Sequence, residues 1–172
     1  MNKNGVKFEN GRFPFGDQVV AISELAVFND GIVVNANSTE GGSIFLEDLL
    51  GYVRSQFEFR EFSSMPRQIV ASQVVVDFET SPAGLLPTFG KINALIAKET
   101  HKLYDCPLPM DFVRLEFQLD KAKSHLEYAQ PRFLIERRTG VAFSQERYYC
   151  SALMHTKNHL SILEQIERLL AA

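Results

Sequence analysis

The sequence predicts an α+β fold: a single two-layer domain over residues 1–172, with a mainly antiparallel sheet of six to eight strands covered by three helices. Three observations predict it. Strand-like runs follow one another through short polar turns, which suits antiparallel pairing rather than the long crossovers that parallel strands need. Three segments carry apolar residues at helical spacing on one side only, so each must bury that side. Apolar residues make up 45% of the chain and charged residues 23%, a balance that fills a core and argues against disorder.

At the N-terminus, Val6-Lys7-Phe8-Glu9 and Arg12-Phe13-Pro14-Phe15 flank Asn10-Gly11. That dipeptide suits a type I′ turn, whose two central residues both take positive φ. A hairpin closed there sets Phe8 against Phe13 and Glu9 against Arg12. Pro14 lacks an amide donor, which places this arm at a sheet edge. A second hairpin runs from 18–29 through Asp30-Gly31 to 32–36 (IVVNA), pairing Phe28 with Val33 and Val27 with Val34. Its apolar pairs fall on both faces, as in an interior pair of strands or one covered by a partner.

Residues 37–42 (NSTEGG) read as a loop, Ser43 as an N-cap and 44–55 as the first helix, with Phe45, Leu46, Leu49, Leu50 and Val53 facing the core. Residues 56–62 (QFEFREF) alternate as a short strand, and 68–79 form a long one with Val70, Val74, Val76 and Phe78 on one face. The second helix spans 85–104, with Leu85, Phe89, Ile92, Ile96 and Leu103 as its stripe, and Cys106-Pro107-Leu108-Pro109 stops it.

Residues 111–120 alternate most cleanly: Val113, Leu115, Phe117 and Leu119 point one way, Arg114, Glu116 and Gln118 the other. Residues 121–130 are polar, a loop or a frayed turn. Strands at 132–138 and 146–153 then lead to the best-patterned helix, 156–170. Its apolar face is Leu160, Leu163, Ile166 and Leu170, broadened by Ile162 and Leu169 and interrupted by Glu167.

Several function classes are disfavoured at once. A net charge of −3 lacks the clustered positive field that tracking a phosphate backbone requires, so no nucleic-acid partner is expected. No apolar run approaches the ~20 residues of a bilayer span, and the start, MNKNGVKFENGRF, has no signal-peptide core. Two distant cysteines make no disulfide framework, which suits a reducing cytoplasm. Fourteen Phe and no Trp predict a Phe-packed sheet–helix interface, or alternatively a Phe-lined ligand pocket.

Chemistry-bearing patterns are few. Asp77-Phe78-Glu79 puts two carboxylates on one face, but nothing completes an oxygen ligand set. Cys150, His155 and His159 have the spacing C-x4-H-x3-H, with Cys106 as a distant fourth ligand, yet no C-x2-C knuckle accompanies them. No metal or cofactor is therefore expected. Neither a G-x-S-x-G elbow nor a Walker A or G-x-G-x-x-G cradle occurs, which weighs against an enzyme.

The candidate ligand site lies around the start of the last helix. Arg137, Arg138 and Arg147 sit on the preceding hairpin, while His155, Lys157 and His159 crowd the first turn, where acidic residues are the usual choice. Thr156 is the expected N-cap, accepting from the amide of Asn158 or His159. Together these residues predict an anion site for a small phosphate or carboxylate. The competing reading pairs the arginines with Glu136 and Glu146 as a solvated surface.

The function expected is that of a non-enzymatic cytoplasmic protein acting through protein–protein interaction, assembly or chaperone-like, as a homodimer. The alternative is a small-molecule-binding or enzymatic domain with a Phe-lined pocket and that anion site.

Overall fold

A computed structural model describes residues 5–57, 66–85, 87–104, 112–120 and 132–171, with backbone alone at 83, 85, 87–89, 103 and 104. The elements are β1 (Val6–Phe15), β2 (Gln18–Val27), β3 (Ile32–Ala36), α1 (Thr39–Gln56), β4 (Ser72–Asp77), α2 (Pro87–Tyr104), β5 (Arg114–Gln118), β6 (Arg132–Arg137), β7 (Arg147–Ala152) and α3 (Thr156–Leu170). The fold class is α+β. Among the described residues the seven strands form two antiparallel sheets, β1-β2-β3 and β4-β7-β6-β5, where one sheet of six to eight strands was expected. β3 runs straight into α1, so the first sheet is closed off by a helix before β4 begins. The chain divides into two compact units, Met1–Ser72 with Met154–Thr156, and Gln73–Leu153 with Lys157–Ala172. No helix among the described residues is long and apolar enough to cross a membrane.

In the first unit, β1 does not turn at Asn10-Gly11. It runs through them, with Asn10 at φ 59°, and makes nine pairs with β2. The hairpin closes at Gly16-Asp17 instead, between Phe15 and Gln18, where Gly16 takes φ 57°. The long ladder with β2 outweighs the local turn preference of Asn-Gly, which would have left two four-residue arms. The second hairpin also differs. Val27 faces Ile32, Ala26 faces Val33 and Leu25 faces Val34, two residues out of the expected register. Neither Asp30 nor Gly31 takes a positive φ, so the I′ turn does not form; the Phe28 amide donates to the Gly31 carbonyl across a longer loop (2.8 Å).

α1 begins earlier than expected. Ser38 is the N-cap, its hydroxyl accepting from the Gly41 amide at 3.1 Å, and the helix runs through Gly41-Gly42. Both glycines are buried: a Cβ on Gly41 would lie 2.7 Å from Val20, and Gly42 rests on Val34 and Ala36. The NSTEGG segment therefore lets a helix lie close on a sheet. Phe13 of β1 meets Phe45 of α1 edge-on, with centroids 5.3 Å apart. α1 extends to Gln56, so the strand expected at 56–62 does not start there; positions 58–62 lie outside the described residues.

The second unit has its core on one face of the four-stranded sheet. Phe78, Ile135, Tyr148, Cys150 and Leu163 are buried together, with Val74, Val76, Leu115, Phe133, Ile166 and Leu170 packed around them. Ile135 stands between Leu115 and Cys150 in register, so three strands contribute to one row. β5 is a short edge strand, and its cleanly alternating pattern is only partly buried: Leu115 packs inward, while Val113 and Phe117 are exposed. On α3, Leu163 is buried, whereas Leu160 and Leu169 of the expected stripe are exposed. α2 begins at Pro87 after a 3-10 turn (Pro82–Leu85), and Ile92 and Ile96 of its expected stripe are exposed. The segment 121–130 and Cys106 lie outside the described residues.

Candidate functional site

Of the residues predicted to hold an anion, Arg137 is the most committed to the fold. Phe133, Ile135 and Arg137 share the core-facing side of β6, and Arg137 is only 4% exposed. Its Nε donates to the Phe112 carbonyl (3.2 Å), Nη1 to the Phe143 carbonyl (2.7 Å), and Nη2 to Glu146 Oε2 (3.2 Å). The guanidinium also lies over the Phe143 and Tyr148 rings, 4.4 and 4.9 Å from their centroids. Tyr148 donates its hydroxyl to Glu146 Oε2 at 2.7 Å; burial first, and that bond second, push the phenol well above its ordinary range. The expected pairing with Glu146 therefore exists, but in a half-buried network rather than on a solvated surface. The strand alternation that buries Ile135 was the signal for it.

Arg147 is held by Asp77, Nε to Oδ1 at 2.6 Å and Nη2 to Oδ2 at 2.8 Å. The hydrogen bonds from Arg147 hold the Asp77 carboxyl below its usual range. This fork ties the end of β4 to the start of β7, and it occupies one carboxylate of the Asp77-Phe78-Glu79 pair. At Glu79 the backbone matters instead: Glu167 Oε1 accepts from the amides of Glu79 (2.9 Å) and Thr80 (3.1 Å). That explains the one polar residue in the α3 stripe.

Arg138 is exposed, at an open cleft of about 400 Å³ lined by Val75, Glu136, Arg137, Arg138, Thr139 and Tyr149. His155 and Lys157 are exposed, whereas His159 is buried edge-on to Phe133, with centroids 5.3 Å apart. Thr156 is not the N-cap but the first helical residue. Its hydroxyl accepts from the Thr39 amide (3.2 Å), and its own amide donates to Thr39 Oγ1 (2.7 Å). Among the described residues no group of three His, Cys, Asp or Glu side chains is placed to share a metal ion.

Burial depresses the His159 pKa below its ordinary 6.5. The folded state therefore binds this proton less readily than the unfolded chain. The neutral ring contributes fully above about pH 6.5, and that contribution is lost as the pH falls from there through the folded pKa. Urea midpoints should thus drop more steeply between pH 7.5 and 5.5 in the native chain than in His159→Leu. Equal slopes would count against it. Burial also pushes the Cys150 thiol up to about 12. In a Cys106→Ser background, Cys150 should react with an aromatic disulfide reagent only as fast as the protein opens, and rapid stoichiometric labelling of the native state would refute this.

The first unit holds the surface that side-chain placement sets apart. Val6, Val27 and Ile32 stand opposite one another, and Phe8, Leu25 and Val34 form the next row on the same face. Val34 and Ala36 lie two apart in β3, so the row of Ala36, Ile22 and Gly11 shares that face, and with it Phe13. The face continues because the pleat resets at Asn10 and at the bulge between Ile22 and Glu24, where Ser23 Oγ donates to the Asn35 carbonyl (3.0 Å). α1 lies on one end, over Val20, Val34, Ala36 and Phe13. At the other end Val6 and Phe8 are each 58% exposed, and Val27 is exposed beside them. β1 is also an edge strand, paired among the described residues only with β2, and all of it but Phe13 is exposed.

Comparison of the chain with protein-family models, with curated proteins and with solved structures finds no match in any of the three.

Proposed function

We propose that the protein acts in the cytoplasm through a protein–protein interface and not through catalysis. The interface is the open end of the β1-β2-β3 face together with the adjoining β1 edge. The observation that carries this reading is the double row Val6-Val27-Ile32 and Phe8-Leu25-Val34, ordered on one face yet left exposed at Val6, Phe8 and Val27. Aligned apolar side chains beside an open strand edge are what strand-adding partners use, the backbone supplying affinity and alternate side chains supplying selectivity. A photo-crosslinking residue at Phe8 should give discrete adducts in native cells, and the same residue at the exposed Tyr52 of α1 should not. No adduct at Phe8, or the same adducts from both positions, would remove the reading.

A second reading rests on Arg138, an exposed residue lining a cleft that Thr139 and Tyr149 also line. That set suits a small carboxylate or phosphate, the anionic ligand expected from the sequence. Thermal stabilisation by millimolar phosphate or citrate, lost in Arg138→Ala, is its test; equal stabilisation of both proteins would reject it.

A further inference from the structure

We infer that the β1 edge is a self-pairing surface, joining two copies of this chain across a two-fold axis between Asn10 and Gly11; the inference rests on the interface reading above and names its partner. Antiparallel pairing of β1 with β1 of a second copy, centred there, sets Phe8 against Phe13, Val6 against Phe15 and Glu9 against Arg12, each from opposite copies. The Asn10-Gly11 symmetry that suggests a hairpin within one chain is thereby satisfied between two.

The register obeys a strict geometric condition. A two-fold axis normal to a sheet maps each face onto itself, so opposed residues must lie on the same face. Phe8 and Phe13 are an odd number of residues apart, which puts them on opposite faces of a regular strand. In β1 the positive φ of Asn10 resets the pleat, and both phenylalanines lie on the α1 face. Glu9 and Arg12 are thereby both on the other face. The irregularity that β1 carries is the one this pairing needs.

Charge and exposure point to the same partner. Within the chain, Glu9 stands opposite Glu24, which is already bonded by Lys7 (3.0 Å), and Arg12 stands opposite Ala21. Neither Glu9 nor Arg12 has an opposite charge across β2, whereas the pairing gives each one twice over by symmetry. Val6, Phe8 and Phe15 are exposed in the single chain. In the pair, Phe8 comes beside Phe13 and Phe45 of the other copy, so each α1 extends its cover over the partner's open end. Pro14, which lacks an amide, falls opposite Lys7 toward the end of the ladder, away from the central pairs.

Charge reversal tests this on the full chain, by light-scattering mass over a dilution series. The native protein should dimerise. Glu9→Arg or Arg12→Glu alone sets like charges opposite each other and should weaken the dimer at least about tenfold. The double swap Glu9→Arg/Arg12→Glu should restore it. Both side chains are exposed, and circular dichroism melts will report whether each variant keeps its fold. A dimer indifferent to all three variants would overturn this pairing and leave an interface elsewhere. A monomer throughout, with Phe8 adducts to a different protein, would overturn self-pairing and leave the interface reading standing. A monomer with no Phe8 adducts would overturn both.

Discussion

Replacing Arg137 with methionine is expected to lower the unfolding free energy by about 3 kcal/mol, read as a fall in the urea midpoint at unchanged m-value. Breaking one partner of a buried ion pair costs about 3–5 kcal/mol, because the remaining charge is left without compensation. The lower end applies, since the Glu146 side chain keeps 21% of its exposure and so some contact with water. Methionine retains much of the volume stacked between Phe143 and Tyr148, so the loss isolates the polar contacts to Phe112, Phe143 and Glu146. Arg147→Met removes the two-bond fork to Asp77 from an exposed position and should cost far less. If the two variants lose equal stability, burial of Arg137 is not what gives it weight.

Leu163→Ala should cost about 2–5 kcal/mol, the range for removing a buried leucine and leaving a partly collapsed cavity. Leu163 is 4% exposed and joins Phe78, Ile135, Tyr148 and Cys150 in the core. Leu169 lies on the same helix at 69% exposure, and Leu169→Ala should stay within about 0.5 kcal/mol. Comparable losses from both would mean that α3 packs through a different face from the one described.

The parts of the fold legible in the sequence are those set by neighbours along the chain. α3 spans the predicted residues, and β6 and β7 lie within a residue of prediction at each end, because periodicity and short turns fix them locally. What failed depended on partners far away in sequence. Asn10-Gly11 has hairpin chemistry, but the ladder with β2 decides the course of β1. Gly41-Gly42 has loop composition, but its role is to let α1 approach Val20, Val34 and Ala36. The arginines divide in the same way. Composition cannot distinguish Arg137 from Arg138, yet alternation from Ile135 sends the first inward and the second out. Glu167 was visible only as an exception to a stripe; its two amide partners near Thr80 could not be inferred from α3 alone.

The mutual hydrogen bonds of Thr39 and Thr156 bear on the order in which the chain can be finished as it is made. The first compact unit takes its last residues, Met154–Thr156, from near the far end of the sequence. On a ribosome, β1, β2, β3 and α1 emerge together, but the Thr39 amide must wait for a hydroxyl 117 positions downstream. Until then the Thr39 amide and hydroxyl lack these bonds. Units generally fold from the N-terminus as synthesis proceeds, at about 5–20 residues per second, so this wait lasts on the order of ten seconds. During it, the exposed Val6 and Phe8 are already available to whatever meets the nascent chain.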